Sequence, residues 1–255
     1  MGPMAVSGIV FACVSGGALL GMLLRSRLPD HHLGAESKDV VRLAMGLVAT
    51  MTALVLGMLV ASAKASFDAQ RHGVAQLAAN TIVLDRFLAY YGEEARPTRE
   101  LLCASVVDVF RRTWPEDDPT MGRPTAGGRA EGRYDELYVR ILALQPRTDV
   151  QRAIQAQALK LVGETGQMRW LLFAQERGTT LPTPFLVVLA VWLTFLLASF
   201  GLFAPGNATA LLSLAVCALS VSSAVFLVLD LDHPFDGIIR TSGEPLRVAL
   251  EQIGR

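Results

Sequence analysis

Three stretches of this chain carry no charged residue: 1–24, 43–63 and 178–229. The last is too long for one membrane crossing, which takes about 20 apolar residues, and Ala204-Pro-Gly-Asn207 breaks it near its middle. The pattern predicts four transmembrane helices, at about 6–24, 43–63, 184–203 and 208–229. Beyond the second span the apolar rhythm narrows. Phe67, Val74, Leu77, Thr81, Leu84, Leu88 and Tyr91 recur every three or four residues, the spacing of a helical seam. Lys64, Asp68, Arg71, Asp85 and Arg86 fall to a solvated face. Leu43 to about Tyr91 therefore reads as one long helix or two nearly collinear ones, with Gly73 its weak point.

Gly92-Glu-Glu-Ala-Arg-Pro97 stops that helix and starts the next, Thr98–Thr113, whose Leu101, Leu102, Val106, Val109 and Phe110 point inward. Trp114–Gly132 is rich in proline and glycine and is expected to be an exposed, mobile loop. Helices follow over Tyr134–Leu144 and Val150–Arg177. The second carries Ile154, Leu159, Leu161, Val162, Met168, Trp170, Leu171 and Phe173 and is expected to run to the membrane surface. Nothing alternates with a period of two. The fold class is all-α: a hairpin of spans over 1–63, a helical domain over 64–181 with its loop at 114–133, a second hairpin over 182–229, and a membrane-exit segment and tail over 230–255.

Small residues are arranged with intent. Gly17 and Gly21 share one face of the first span and would let another backbone come close. In the second span Gly46, Thr50, Ala53, Gly57 and Ala61 form one stripe. It fits tight helix packing or a pore-facing surface, and periodicity alone does not separate the two. Ser213, Ser220, Ser222 and Ser223 favour helix contact in the fourth span.

The 23 basic and 23 acidic residues crowd outside the uncharged stretches, so the mean hydropathy of +0.40 averages a lipid-facing and a water-facing population. Overall neutrality argues against a nucleic-acid partner; the partners expected are the lipid bilayer, further copies of the chain and a protein not identified by the sequence. Cys13, Cys103 and Cys217 have neither disulfide-framework nor zinc spacing and read as small buried hydrophobes. No basic run precedes the first span and Arg25-Ser-Arg27-Leu-Pro is a poor cleavage site, so that span is expected to stay. Arg25, Arg27, Lys38 and Arg42 lie in the loop between spans one and two. Lys64, Arg71, Arg169, Arg177, Arg240 and Arg247 lie on the other side, which places both termini and the helical domain in the cytoplasm.

Chemical content concentrates at Asp230-Leu-Asp232-His233-Pro234-Phe235-Asp236-Gly-Ile-Ile-Arg240. Pro234 ends a helix and Gly237 permits a sharp turn. Carboxylates at a helix C-terminus oppose the macrodipole and need partners. An ion-pair latch to Arg240, Arg247 or basic residues of the helical domain is one reading. A hard cation such as Ca²⁺, which takes six or more oxygens, is another, although the spacing departs from an EF-hand. His233 could make the latch pH-sensitive. No resident cofactor is implied otherwise. Catalytic constellations are missing: no Gly-x-Ser-x-Gly occurs, and Gly127-Gly128-Arg-Ala-Glu-Gly132 lacks the Lys-Ser/Thr of a phosphate loop. The chain reads as a non-enzyme.

Four segments resemble the bestrophin-like domain family of bacterial membrane proteins: Leu56-Gly-Met-Leu-Val-Ala-Ser-Ala-Lys-Ala-Ser-Phe67, Val83-Leu-Asp-Arg-Phe-Leu88, Trp192 to Ala210, and Leu229 to Arg240. The acidic-Pro-Phe-Gly element is also reminiscent of bestrophins proper, which are oligomeric, four-span, Ca²⁺-gated anion channels. The resemblance implies a multi-pass protein of the inner membrane and an oligomeric ion pore, with small anions as the cargo. Span two would line it, with Thr50 and Thr52 offering hydroxyls to the ion and Leu56 or Met58 forming an apolar constriction. The segment from Asp230 to Arg240 would couple the helical domain to the pore. The rival reading is a non-conducting membrane adaptor that displays a helical platform to a protein partner.

Overall fold

The computed structural model describes residues 2–28, 35–115, 130–177, 183–205, 207–232 and 237–253; for 35–37, 130–133, 172–177 and 183 it describes the backbone alone. Among the described residues there are eight α-helices and no strand. They are α1 (Pro3–Arg25), α2 (Ala35–Tyr91), α3 (Arg96–Thr113), α4 (Ala130–Ala143), α5 (Asp149–Arg177), α6 (Thr183–Phe203), α7 (Ala208–Leu231) and α8 (Glu244–Gln252). Four of them, α1, α2, α6 and α7, are long and apolar enough to cross a membrane.

Local chemistry explains most of the boundaries. Pro3 opens α1, where a missing N–H costs nothing. Asn207 caps α7 by accepting from the Ala210 N–H at 2.9 Å. Thr148 and Gln151 form a reciprocal box before α5: the Gln151 N–H donates to Thr148 Oγ1 at 3.1 Å, and the Thr148 N–H donates to Gln151 Oε1 at 3.3 Å. Gln151 Nε2 also donates to the Tyr91 carbonyl at 3.0 Å, and Gln155 Nε2 donates to those of Ile141 and Leu144, each at 2.8 Å. The last carbonyls of α2 and α4 thus find partners on the first turns of α5. Gly92 has φ +120° and ψ −175°, a region open in practice only to glycine. It turns the chain out of α2 and into a 3₁₀ turn at Glu93–Ala95 within one residue.

The chain divides into two compact units, Met1–Phe67 with Thr179–Ile239, and Asp68–Gly178 with Arg240–Arg255. The unbroken helix α2 contributes its first half to one and its second half to the other; Gly73 does not interrupt it.

In the first unit α1 packs along α6 and against α7. Gly17 faces Thr194, Gly21 faces Ala198, and Gly201 faces Ala18, so residue numbers rise together and the two helices run in the same direction. A Cβ on Gly17 would stand 2.7 Å from the Thr194 carbonyl oxygen, and one on Gly21 or Gly201 would meet the facing backbone outright. Arg25 at the end of α1 donates to the Ala204 carbonyl just past α6. Val14, Ala63, Leu189 and Val228 form the centre of the core.

The outer surface of this unit is apolar as well: Leu20, Leu54, Phe195 and Leu212 are 65%, 60%, 65% and 66% exposed. Water would penalise so continuous a surface; a lipid interior does not. Two expectations change here. Cys13 and Cys217 are on the outside of the helices rather than buried, because a lipid-facing cysteine costs no more than a buried one. Of the α7 serines, Ser222 alone is buried; Ser213, Ser220 and Ser223 are exposed and donate to carbonyls four residues back.

The second unit buries the predicted α2 seam: Val74, Leu77, Thr81, Leu84, Leu88 and Tyr91 are each at most 5% exposed. It also buries charge. Asp85, expected on the solvated face, is 2% exposed, and its two oxygens accept from Arg99 Nε and Nη2 of α3 at 2.8 and 2.9 Å. Asn80 Nδ2 donates to Thr165 Oγ1 of α5 at 3.3 Å. The Arg169 guanidinium lies 4.0 Å from the centre of the Tyr134 ring. Burial raises the Tyr134 hydroxyl pKa above the ordinary range, with Arg169 and the hydrogen bond to Thr81 pulling it down.

Trp114, expected in an exposed loop, is 7% exposed, and from Ala130 the backbone is the helix α4; residues 116–129 of the expected mobile loop lie outside the described ones. Trp170 and Leu171 point outward, 62% and 63% exposed, instead of joining the core that Ala158, Val162 and Thr165 build on α5. The tail contains α8, an unexpected helix whose Leu246 and Ala249 are buried and which packs on α3.

Two measurements test this packing. Gly21→Ala should lower the thermal unfolding midpoint in detergent by an amount corresponding to about 1–3 kcal/mol, whereas Gly46→Ala, whose Cβ meets nothing within 4 Å, should leave it unchanged or raise it. Equal midpoints for the two variants would rule out the α1–α6 contact. Arg99→Ala strands a buried carboxylate and should cost about 3 kcal/mol, most of it recovered in the double variant Asp85→Leu/Arg99→Met; circular dichroism of the unfolding transition reads both.

Candidate functional site

The membrane-exit segment starts from a buried carboxylate. Asp230, in the last turn of α7, is 2% exposed. A carboxylate there is opposed by the helix dipole and by its own lost hydration. The chain answers with main-chain donors: the Ile238 N–H donates to Oδ1 at 2.9 Å and the Ile239 N–H donates to Oδ2 at 2.8 Å. Bonds of this kind, between an N–H and an ionised acceptor, are stronger than neutral ones. Glycine at 237 is needed for space: a Cβ would stand 2.8 Å from Asp230 Oδ1 and 3.0 Å from both its Cγ and its carbonyl oxygen. Residues 237–239 therefore close on the end of α7.

Asp232 is the C-cap of α7, and its Oδ1 is buried without a hydrogen-bond partner. His233, Pro234, Phe235 and Asp236 lie outside the described residues. At Asp230 the partners are main-chain donors rather than an arginine. Asp230 is held by backbone, and Arg247 Nη2 donates to Glu244 Oε1 on its own helix at 2.8 Å. The physical reason is local: a loop returning to a helix end brings N–H groups to the carboxylate without ordering a long side chain. Arg240 is exposed, at the start of the second unit's portion of the tail.

Among the described residues of the segment, both oxygens of Asp230 are engaged by N–H donors, and Asp232 Oδ1 is a carboxylate oxygen without a partner; the candidate cation site that also needs His233 and Asp236 lies partly outside the described residues. No group of three His, Cys, Asp or Glu side chains among the described residues could hold a metal.

The four second-span candidates divide between two faces of α2. Thr52 is 4% exposed and Leu56 packs against the core, so both look into the bundle. Thr50 and Met58 look out, Met58 being 66% exposed. Each threonine hydroxyl donates to a carbonyl four residues back, Thr50 to Gly46 at 2.8 Å and Thr52 to Val48 at 2.7 Å. A hydroxyl so engaged offers an oxygen to its surroundings; it must rotate before it can donate to an anion. The stripe of Gly46, Thr50, Ala53, Gly57 and Ala61 is exposed along its length, and Gly46 and Gly57 have nothing within 4 Å of a would-be Cβ.

In the second unit Cys103 has its thiol pKa pushed up, first by burial and then by the Asp85 carboxylate. It is a packing residue rather than a nucleophile.

Four apolar helices, an apolar outer surface and a buried acidic closure at the end of the last span define a multi-pass membrane protein. The family profile described as the bestrophin-like domain matches residues 12–246, and the chain belongs to that family. The match includes α2 whole and the Asp230–Arg240 segment. No curated protein and no solved structure matches the chain.

Sequence reasoning located the exit segment but missed Trp114, Thr241 and Gly243, which bind the tail to α3. The available signal was Gly243-Glu-Pro245 ahead of Leu246, Ala249 and Ile253, a helix start followed by helical spacing.

Gly237→Ala should open the closure and speed proteolysis after α7, with the bulk helix content kept; unaltered cleavage would show that the cradle tolerates a Cβ. In a Cys13→Ser/Cys217→Ser background, iodoacetamide should modify Cys103 more slowly than a model thiol at neutral pH. The rate should climb with pH beyond the ordinary thiol range, as peptide mass spectrometry would report.

Proposed function

We propose that this chain is the subunit of a homo-oligomeric ion-conducting pore in the bacterial inner membrane, with small anions the cargo that fits best and α2 of each copy facing the conduit. The observation that carries the reading is the coverage of α2. Only 11% of its most apolar stretch is buried, against 28% in each of the other three spans. The uncovered face presents the stripe of small residues, which lets helices approach or leaves room for ions. On this reading Thr50 and Met58 face the conduit, as hydroxyl and apolar constriction, while Thr52 and Leu56 fasten α2 to its own bundle. The apolar stretches of the spans hold no carboxylate or imidazole of the kind that pumps use to carry a proton or ion. Four crossings return the chain to the side on which it started, which puts both termini and the second unit on one face, the cytoplasmic one by the distribution of basic residues.

The membrane-adaptor reading draws on a different surface. Tyr138, Val139 and Leu142 on α4 are 43%, 60% and 58% exposed, an apolar face outside the spans suited to a protein partner.

Purified protein in liposomes separates the two. Chloride-dependent current should appear, and Met58→Ala should change the conductance while Cys13→Ser leaves it unaltered. In a cysteine-free background, Gly57→Cys should form disulfide-linked dimers in the membrane. Silent liposomes at high protein density, together with a monomeric mass in detergent, would leave the adaptor as the function.

A further inference from the structure

Within the second unit two helices present an uncovered apolar face, and the two faces carry opposite charge. On α4, Val139 and Leu142 are 60% and 58% exposed, and the exposed Asp135 lies one turn before them. On the second half of α2, Val83 and Tyr90 are 44% and 75% exposed, and the exposed Arg86 lies between them. Neither Asp135 nor Arg86 has an ion-pair partner among the described residues, whereas the adjacent Glu136 is taken by Arg140 of its own helix at 3.0 Å.

The two faces point away from each other. Thr81 belongs to the buried seam of α2 and Tyr134 to the buried side of α4, and these two side chains are hydrogen-bonded. The helices meet through their inner sides, which leaves their outer sides on opposite flanks of the unit. They also run in the same direction and end together. Gln151 in the first turn of α5 donates to the Tyr91 carbonyl, and Gln155, about 6 Å further along α5, donates to those of Ile141 and Leu144. Counted from the Thr81–Tyr134 bond, Tyr90 and Leu142 stand within about 2 Å of one level.

We propose that these faces are the two halves of a contact between copies of this chain, the α4 face of one copy seated on the α2 face of the next. The inference rests on the homo-oligomer of the proposed pore and names a surface outside the spans that assembles it. Charge selects the pairing. Two α4 faces would oppose Asp135 to Asp135 and two α2 faces Arg86 to Arg86; only the crossed pairing brings carboxylate to guanidinium. Arg86 lies one turn above the level of Asp135, and a helical side chain leans toward its own N-terminus, which carries the guanidinium down to it. Unlike faces on opposite flanks assemble head to tail, and such contacts close into a ring under rotation. Rotation about an axis along the helices keeps each residue at its own level, so Leu142 of one copy arrives beside Tyr90 of the next.

Cross-linking of the full chain in the membrane, in a cysteine-free background, tests this. Copies carrying Tyr90→Cys are co-expressed with differently tagged copies carrying Leu142→Cys. Mild oxidation should give a disulfide-linked pair holding one tag of each kind, and little from either variant alone. Asp135→Arg in the Leu142→Cys copies should lower that yield about tenfold, and Arg86→Asp in the Tyr90→Cys copies should restore it. A yield indifferent to both charges, or dimers from Leu142→Cys alone as abundant as those from the mixture, would overturn the crossed pairing. An absent mixed dimer while Gly57→Cys still cross-links would overturn this interface and leave the pore reading in place. Silence from Gly57→Cys as well would remove both.

Discussion

The membrane interior supplies neither water to hydrogen-bond a backbone nor any hydrophobic force to press helices together. In the first unit everything follows from that. Its outer surface is as apolar as its core, so shape has to hold α1, α6 and α7 in register, and the closest approach is made where side chains are missing. Gly17 and Gly21 on α1 and Gly201 on α6 bring two parallel backbones into contact over more than a helical turn. Arg25 secures the end of that pair by reaching the Ala204 carbonyl. The same device on α2 is left open, with Gly46 and Gly57 facing nothing. One small-residue seam is consumed by the chain's own fold and the other is free for use.

Polar groups follow a matching rule in each environment. Within the spans, the hydroxyls of Thr50, Thr52, Thr194 and Ser222 donate to their own helix, four residues back. At the membrane exit a carboxylate is satisfied by a loop folding back over it. In the second unit, where water is the alternative partner, polar side chains are buried in pairs across helices: Asp85 with Arg99, Asn80 with Thr165, Tyr134 with Arg169. Such pairs add less to stability than their number suggests, but they fix which residues of neighbouring helices meet.

Membership of the bestrophin-like family rests on the match over residues 12–246, and the geometry of α2 is a separate observation. Thr50 and Thr52, two residues apart on one helix, cannot share a face, and the structure assigns one to the outside and the other to the bundle. That division turns a general expectation about the second span into a particular surface, with Met58 and the glycine stripe on its open side. The exit segment is more specific still. Its chemistry is that of a closure, since Asp230 has given both oxygens to main-chain donors.

The four spans, the all-helical fold, the α2 seam and the interest of the 230–240 stretch were legible in the sequence, because charge-free length and helical spacing are properties of neighbouring residues. Even the partner-seeking glycines of α1 could be named, though not their partner. Asp85 was misplaced on a solvated face, since its partner Arg99 is brought to it by the turn at Gly92, which no local pattern reveals. Trp114 and the tail helix were missed for the same reason: an apolar residue at the edge of a loop declares itself only when something distant covers it. The sequence by itself determined which segments prefer lipid and which residues, such as Asn207 and Thr148, can cap a helix, through solvation and local hydrogen bonding. Only tertiary structure decided which face of α2 stays open, which carboxylate is buried and what holds it, because those depend on backbones far apart in the chain coming within a few ångströms of each other.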